Sequence, residues 1–193
     1  MKKPVKIVAL LVVILGGSAI AYGMTRPRAG YEPHQPIYFQ HRRMAGKPNW
    51  TKDKNGKDVN LGGFNIPCLY CHSMEYKGRH ATLPSTDICM NCHSTVGQSK
   101  EWVLVLKDYW ERGEPIPWVK VHDLPDYVYY DHSVHLAAKN DQGEAKLDCV
   151  DCHGTVEEMD VVKVQHAFNM GWCLDCHRKP EMNAPTDCVT CHR

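Results

Sequence analysis

All ten cysteines of this 193-residue chain fall into five pairs spaced by two residues, and a histidine follows each pair at once. The five motifs are Cys68-Leu69-Tyr70-Cys71-His72, Cys89-Met90-Asn91-Cys92-His93, Cys149-Val150-Asp151-Cys152-His153, Cys173-Leu174-Asp175-Cys176-His177 and Cys188-Val189-Thr190-Cys191-His192. Cysteines three apart lie on one side of a helical turn. From there both sulfurs reach the two vinyl groups on one edge of a porphyrin and form thioethers. The next residue then sets its imidazole under the macrocycle as the proximal iron ligand, the pattern of c-type haem attachment. A zinc-ribbon array or a disulfide scaffold would also consume many cysteines, but neither asks for histidine after every pair. The expected cofactors are therefore five haem c. Cys68, Cys71, Cys89, Cys92, Cys149, Cys152, Cys173, Cys176, Cys188 and Cys191 would form the thioethers, and His72, His93, His153, His177 and His192 the proximal bonds.

An electron carrier needs its sixth iron positions filled, and methionine there in place of histidine raises the potential. Of 12 histidines, five are proximal. His41, His122, His132 and His135 are the leading distal candidates. Tyr38-Phe39-Gln40-His41-x-x-Met44 resembles Tyr129-Tyr130-Asp131-His132-x-x-His135, which suggests one ligand-bearing element used twice. Met44 then stands where the second copy has His135, and Met170, just before Gly171-Trp172-Cys173, is the other thioether candidate. Four bis-histidine irons and one His/Met iron are expected. His80 and His166 read as surface or outer residues, and His34, beside prolines, as exposed.

The elements that must position these groups are short. Three Phe, 12 Pro and 14 Gly leave few long apolar runs, so porphyrins rather than side chains are expected to fill the core. The fold class is a multihaem cytochrome c, mostly irregular, with short α-helices at the motifs packed around five haems and minimal β. One N-terminal transmembrane helix is added to it. Residues 1–25 read as a membrane anchor or uncleaved signal, 26–36 as a Pro-rich linker and 37–193 as the haem domain. Lys2, Lys3 and Lys6 accompany an apolar run of about 15 to 18 residues, on the border between signal peptide and span. Cleavage after Ala21 and retention both remain open. Either way the positive end stays inside, which puts the haem domain on the outer face of the cytoplasmic membrane. Residues 46–63 read as a polar, Gly-rich loop. Lys100 to Arg112 sets Trp102, Val103, Leu106, Tyr109 and Trp110 at helical spacing, with Gly113 and Pro115 as the stop. Trp118 to His122 reads as a β-like piece. A formal charge of +1 with scattered Lys and Arg gives no case for nucleic acid.

Longer stretches carry a resemblance. Trp110-Glu111-Arg112-Gly113-Glu114-Pro115-Ile116-Pro117-Trp118-Val119-Lys120-Val121-His122-Asp123-Leu124-Pro125-Asp126, Ile66-Pro67-Cys68, Val156-Glu157-Glu158-Met159-Asp160, Met170-Gly171-Trp172-Cys173 and Asn183-Ala184-Pro185-Thr186-Asp187-Cys188 resemble the pentahaem cytochrome c subunit of alternative complex III. That is a quinol-oxidising complex of respiratory or photosynthetic chains. The hexahaem subunit of menaquinone reductase complexes is similar in spirit, but five motifs favour the first. The resemblance implies an electron-transfer subunit, not an enzyme by itself. Its implied partners are an iron–sulfur subunit, integral membrane subunits that hold the quinol site, and a monohaem cytochrome c as acceptor. No quinol site is expected in this chain. The alternatives are a free or anchored periplasmic multihaem shuttle, and a haem enzyme with one open iron.

Overall fold

A computed structural model describes residues 7–8, 11–18 and 29–193. Residues 7–8 and 11–18 are helical. The rest of the expected span, cleavage after Ala21 and the start of the linker lie outside the described residues. Among the described residues no helix is long and apolar enough to cross a membrane.

The chain is mostly irregular, with short helices and little sheet. In order come α1 (His41–Met44), β1 (Trp50–Lys52), β2 (Asp58–Asn60), α2 (Cys68–Cys71), α3 (Thr86–His93), α4 (Glu101–Glu111), α5 (His132–Ala137), α6 (Cys149–His153), α7 (Met170–His177) and α8 (Cys188–Cys191). Single 3-10 turns lie at Val156–Glu158 and Pro180–Met182. Each Cys-x-x-Cys sits on a helix, as the reach of the two sulfurs requires. Helices of one turn do not hold themselves in water, so local caps matter. Asp148 and Asp151 form a capping box on α6, Asn169 accepts from the Trp172 N–H on α7, and Asp187 accepts from the Thr190 N–H on α8.

The longest helix, α4, matches its sequence pattern. Val103 and Leu106 are its buried residues, and Gly113 past its end takes the left-handed φ of 66° that suits glycine. Leu106 joins Ile37, Met90 and Ile116 in a core cluster against which Cys89, Trp102, Tyr109 and Trp118 pack. Among the described residues seven apolar side chains are buried, with Val103, Met159 and Val164 completing the set, a slender core for a chain of this length.

Two expectations are corrected. Residues 46–63 are not a plain loop, because β1 and β2 pair antiparallel there with Thr51 opposite Val59. Asp53 and Gly56 make the turn, with Gly56 at φ 76°, a hairpin signal that the polar composition hid. Conversely, Trp118 to His122 is not a strand. The backbone N–H and C=O of Val119 are both satisfied at 2.9 Å by the side-chain amide of Gln35. One glutamine takes the place of a partner strand.

The neck of the hairpin is a close backbone approach. A methyl on Gly63 would come within 2.1 Å of the Gly46 carbonyl oxygen and 2.6 Å of that of Arg42. Gly63→Ala should therefore cost about 1–3 kcal/mol, read in a thermal melt as a midpoint lowered by roughly 3–10 °C. Gly78→Ala, where nothing lies within 4 Å, should leave the midpoint in place.

Candidate metal centres

Six of the motif and candidate histidines share one local device. His72 donates from Nδ1 to the Thr82 carbonyl at 3.0 Å, His93 to Val96 at 3.0 Å, His177 to Pro185 at 2.7 Å and His192 to Tyr127 at 3.2 Å. His132 does the same to Arg79 at 3.2 Å and His135 to Asp131 at 2.7 Å. A carbonyl only accepts, so each Nδ1 carries the ring proton and each Nε2 keeps a lone pair. That is the arrangement found in metal-bound imidazoles, where the second nitrogen's hydrogen bond fixes tautomer and ring orientation.

Burial keeps several of these rings neutral. It pulls His41 down to about 4, with His72 as the second cause. It pulls His153 to about 4 as well, helped by His122, His132 and His72. His122 and His135 are lowered by burial too. A neutral imidazole is the form that binds iron. His122 Nε2 is buried without a hydrogen-bond partner, a costly state for a polar nitrogen that a metal bond would relieve, and His41 Nδ1 is buried without one as well.

The rings also pair. Two imidazoles sharing one iron through Nε2, each bond about 2 Å and each ring centre roughly 1 Å farther back, put their centroids about 6 Å apart. His135 and His177 lie 6.0 Å apart, and His132 and His153 lie 6.4 Å apart with planes 3° from parallel. Both His132 and His135 belong to α5, one turn apart, so this helix faces two motifs. Asp131 holds the start of that turn through the Ser133 N–H and hydroxyl. His41 likewise opens α1, after an extended Gln40, so the two resembling segments share a backbone form.

The remaining candidates stand differently. His122 meets His153 edge-on at 4.5 Å, too close for both to share one iron through Nε2. Met44 is half-buried on α1. Met170 is exposed at the start of α7. His93 meets the Trp102 ring at 5.0 Å and His192 meets Tyr127 at 6.0 Å. His34 and His80 are exposed, and His166 stacks on Trp172 at 5.4 Å.

None of the ten cysteines is in a disulfide. Burial is the leading cause that raises the thiols of Cys71, Cys89 and Cys173, and it lifts Cys149 to about 12 and Cys152 to about 11. Among the described residues no three His, Cys, Asp or Glu side chains gather as an ion site. The secondary causes of these shifts show which motifs are neighbours. Cys92 acts on Cys71, Cys68 on Cys149, Cys176 and Cys173 on Cys152, and Cys191 on Cys173. These pairs make the second motif a neighbour of the first, the first of the third, the third of the fourth and the fourth of the fifth.

Side-chain and backbone contacts hold that series. Asn91 donates to the Tyr70 hydroxyl at 3.3 Å between the second and first motifs. Arg42 of α1 binds Asp160, beyond the third motif, through its side chain, and its N–H donates to the Met159 carbonyl at 2.9 Å. The Tyr129 N–H donates to the Cys191 carbonyl at 2.8 Å, and the Tyr129 ring carries both Arg79 and Arg193. Sequence reasoning missed the anchoring carbonyls, Arg79 and the buried Glu75. A backbone oxygen has no residue signature, so only Glu75, three places after His72, offered a trace.

No family model matches the chain. Over 181 residues it is 26% identical to the menaquinone reductase, multiheme cytochrome c subunit, of Nitratidesulfovibrio vulgaris strain Hildenborough, across 84% of this chain and 78% of that protein. This likeness supports a multihaem cytochrome c family and with it haem c as the cofactor; it does not single out alternative complex III.

The 6.0 Å pair gives a direct test. In the haem-loaded protein, His135→Ala should leave one iron able to bind carbon monoxide after reduction, seen as a shifted Soret component. Wild type and His166→Ala should take up none. Carbon monoxide binding equal in all three would contradict the pairing.

Proposed function

We propose that this chain is the electron-transfer subunit of a quinone-linked membrane complex, carrying five covalently bound haems. Each haem, once bound, supplies one-electron transfer between ferric and ferrous iron, with no proton or bond change required. The observation that carries the reading is the continuous series of five motif helices, each presenting two sulfurs and an imidazole. Four of those imidazoles are oriented by a backbone carbonyl.

The residues present suit such a group. The paired cysteines of α2, α3, α6, α7 and α8 would tether the porphyrin edges, and His72, His93, His153, His177 and His192 would hold the irons from one side. On the other side, His132 would serve the third motif and His135 the fourth, as their ring separations favour. His41, close enough to His72 to lower its basicity, would serve the first. His122, Met44 and Met170 are the remaining candidates. Anchoring of six of these rings by backbone carbonyls keeps their ligand geometry the same in both oxidation states, which lowers the reorganisation that accompanies electron transfer.

In this reading the N-terminal segment, where it is retained rather than cleaved after Ala21, anchors the chain as a single pass, and in either case the haem domain lies on the outer face of the cytoplasmic membrane. Quinol-oxidising subunits pass electrons to it, and a periplasmic acceptor such as a monohaem cytochrome c removes them. The five motifs and the resemblance to alternative complex III favour that direction. A second reading, with electrons running towards quinone, is favoured by the likeness to a menaquinone reductase subunit. A free shuttle is the competing class.

Blue-native gels of membranes should show the haem stain of this chain in a large complex, and menaquinol added to that complex should reduce its haems. Haem stain running at the size of the chain alone would favour the shuttle.

A further inference from the structure

Among the described residues Glu75 is the one buried charged or polar residue, 8% exposed. It lies three positions after His72, beyond the first motif. Its Oε1 accepts from the Thr82 N–H at 3.2 Å and stands 3.7 Å from His72 Nδ1. The carbonyl of the same Thr82 accepts from that Nδ1 at 3.0 Å. Thr82 thus holds the imidazole and the carboxylate side by side. Glu75 Oε2 is buried with no hydrogen-bond partner. Burying a carboxylate with half its acceptors unused is costly, so the position calls for a compensating positive charge.

We infer that Glu75 is a positioning residue that lowers the reduction potential of the haem held by His72, setting it apart from the other four. This rests on the haem reading above. A carboxylate beside the Nδ1–H of a ligating histidine makes the imidazole a stronger donor. It also places a negative charge near an iron centre whose oxidised form carries one more positive charge than its reduced form. Both effects favour the ferric state. Reduction adds one electron to the iron, supplied in the titration by a mediator, and no bond at His72 or Glu75 breaks. Among the described residues no nitrogen of another proximal histidine lies within 4.0 Å of an acidic side-chain oxygen, which confines the effect to the first motif.

The test is a mediated redox titration of the full haem-loaded chain, followed by visible absorbance at fixed pH. Glu75→Gln keeps the shape and the Thr82 hydrogen bond and removes the charge. One of the five haem components should become about tenfold easier to reduce, an upward shift of about 59 mV for one electron, with the other four in place. Glu75→Asp keeps the charge and should hold that component near its wild-type potential. The inference is overturned if the Gln titration superimposes on wild type, or if Gln and Asp shift alike, which would mark a role of shape alone. Wild-type chain without haem absorbance would instead overturn the haem reading itself.

Discussion

The hydrogen bond from imidazole Nδ1 to a backbone carbonyl is the constraint on which the rest of this protein depends. A histidine ring turns freely about its last side-chain torsion, and either nitrogen can carry the proton. An acceptor at Nδ1 removes both freedoms and leaves Nε2 aimed with its lone pair available. The acceptors come from near and far: Val96 lies three residues beyond His93, and Tyr127 lies 65 residues before His192. A regular helix or sheet would spend its carbonyls on its own ladder. An irregular path keeps them free for rings, and the winding chain between motifs is a consequence of that need.

The same demand explains how neighbouring motifs are kept in order. α5 offers two rings one turn apart to two different motifs, and Tyr130 packs against both, 4.8 Å from His132 and 4.5 Å from His135. Burial and the nearby Cys152 and Cys173 raise the hydroxyl of Tyr130, which keeps the wedge neutral between the third and fourth motifs. α1 plays the matching part for the first motif, bolted by Arg42 and Gln40 onto Asp160. Surface ion pairs contribute little, but here the pair is joined by a backbone bond from Arg42 and so fixes position.

Much of this was legible in the sequence where chemistry has a residue signature. The five motifs, the helix at each, the α4 helix with its glycine stop and the doubled His-x-x element all follow from spacing. The structure departs where backbone groups decide. A hairpin hid in residues 46–63 because most of its residues are polar and β1 is exposed throughout, so no alternation marked it. Trp118 to His122 looked like a strand because its side chains suit one, yet the peptide groups of Val119 within it are satisfied by Gln35. The carbonyls that orient the rings could not be read at all. Nor could the complex: the likeness to a menaquinone reductase subunit does not single out alternative complex III.

The iron ligand pairs and the electron-transfer role both depend on covalent haem at every motif. Intact-mass analysis of the mature chain purified from membranes, run beside its Soret spectrum, measures it directly. The expected result is a mass greater than the polypeptide by five haems, with the N-terminal cleavage state read from the same spectrum. A mass equal to the amino acids alone, without Soret absorption, would contradict it.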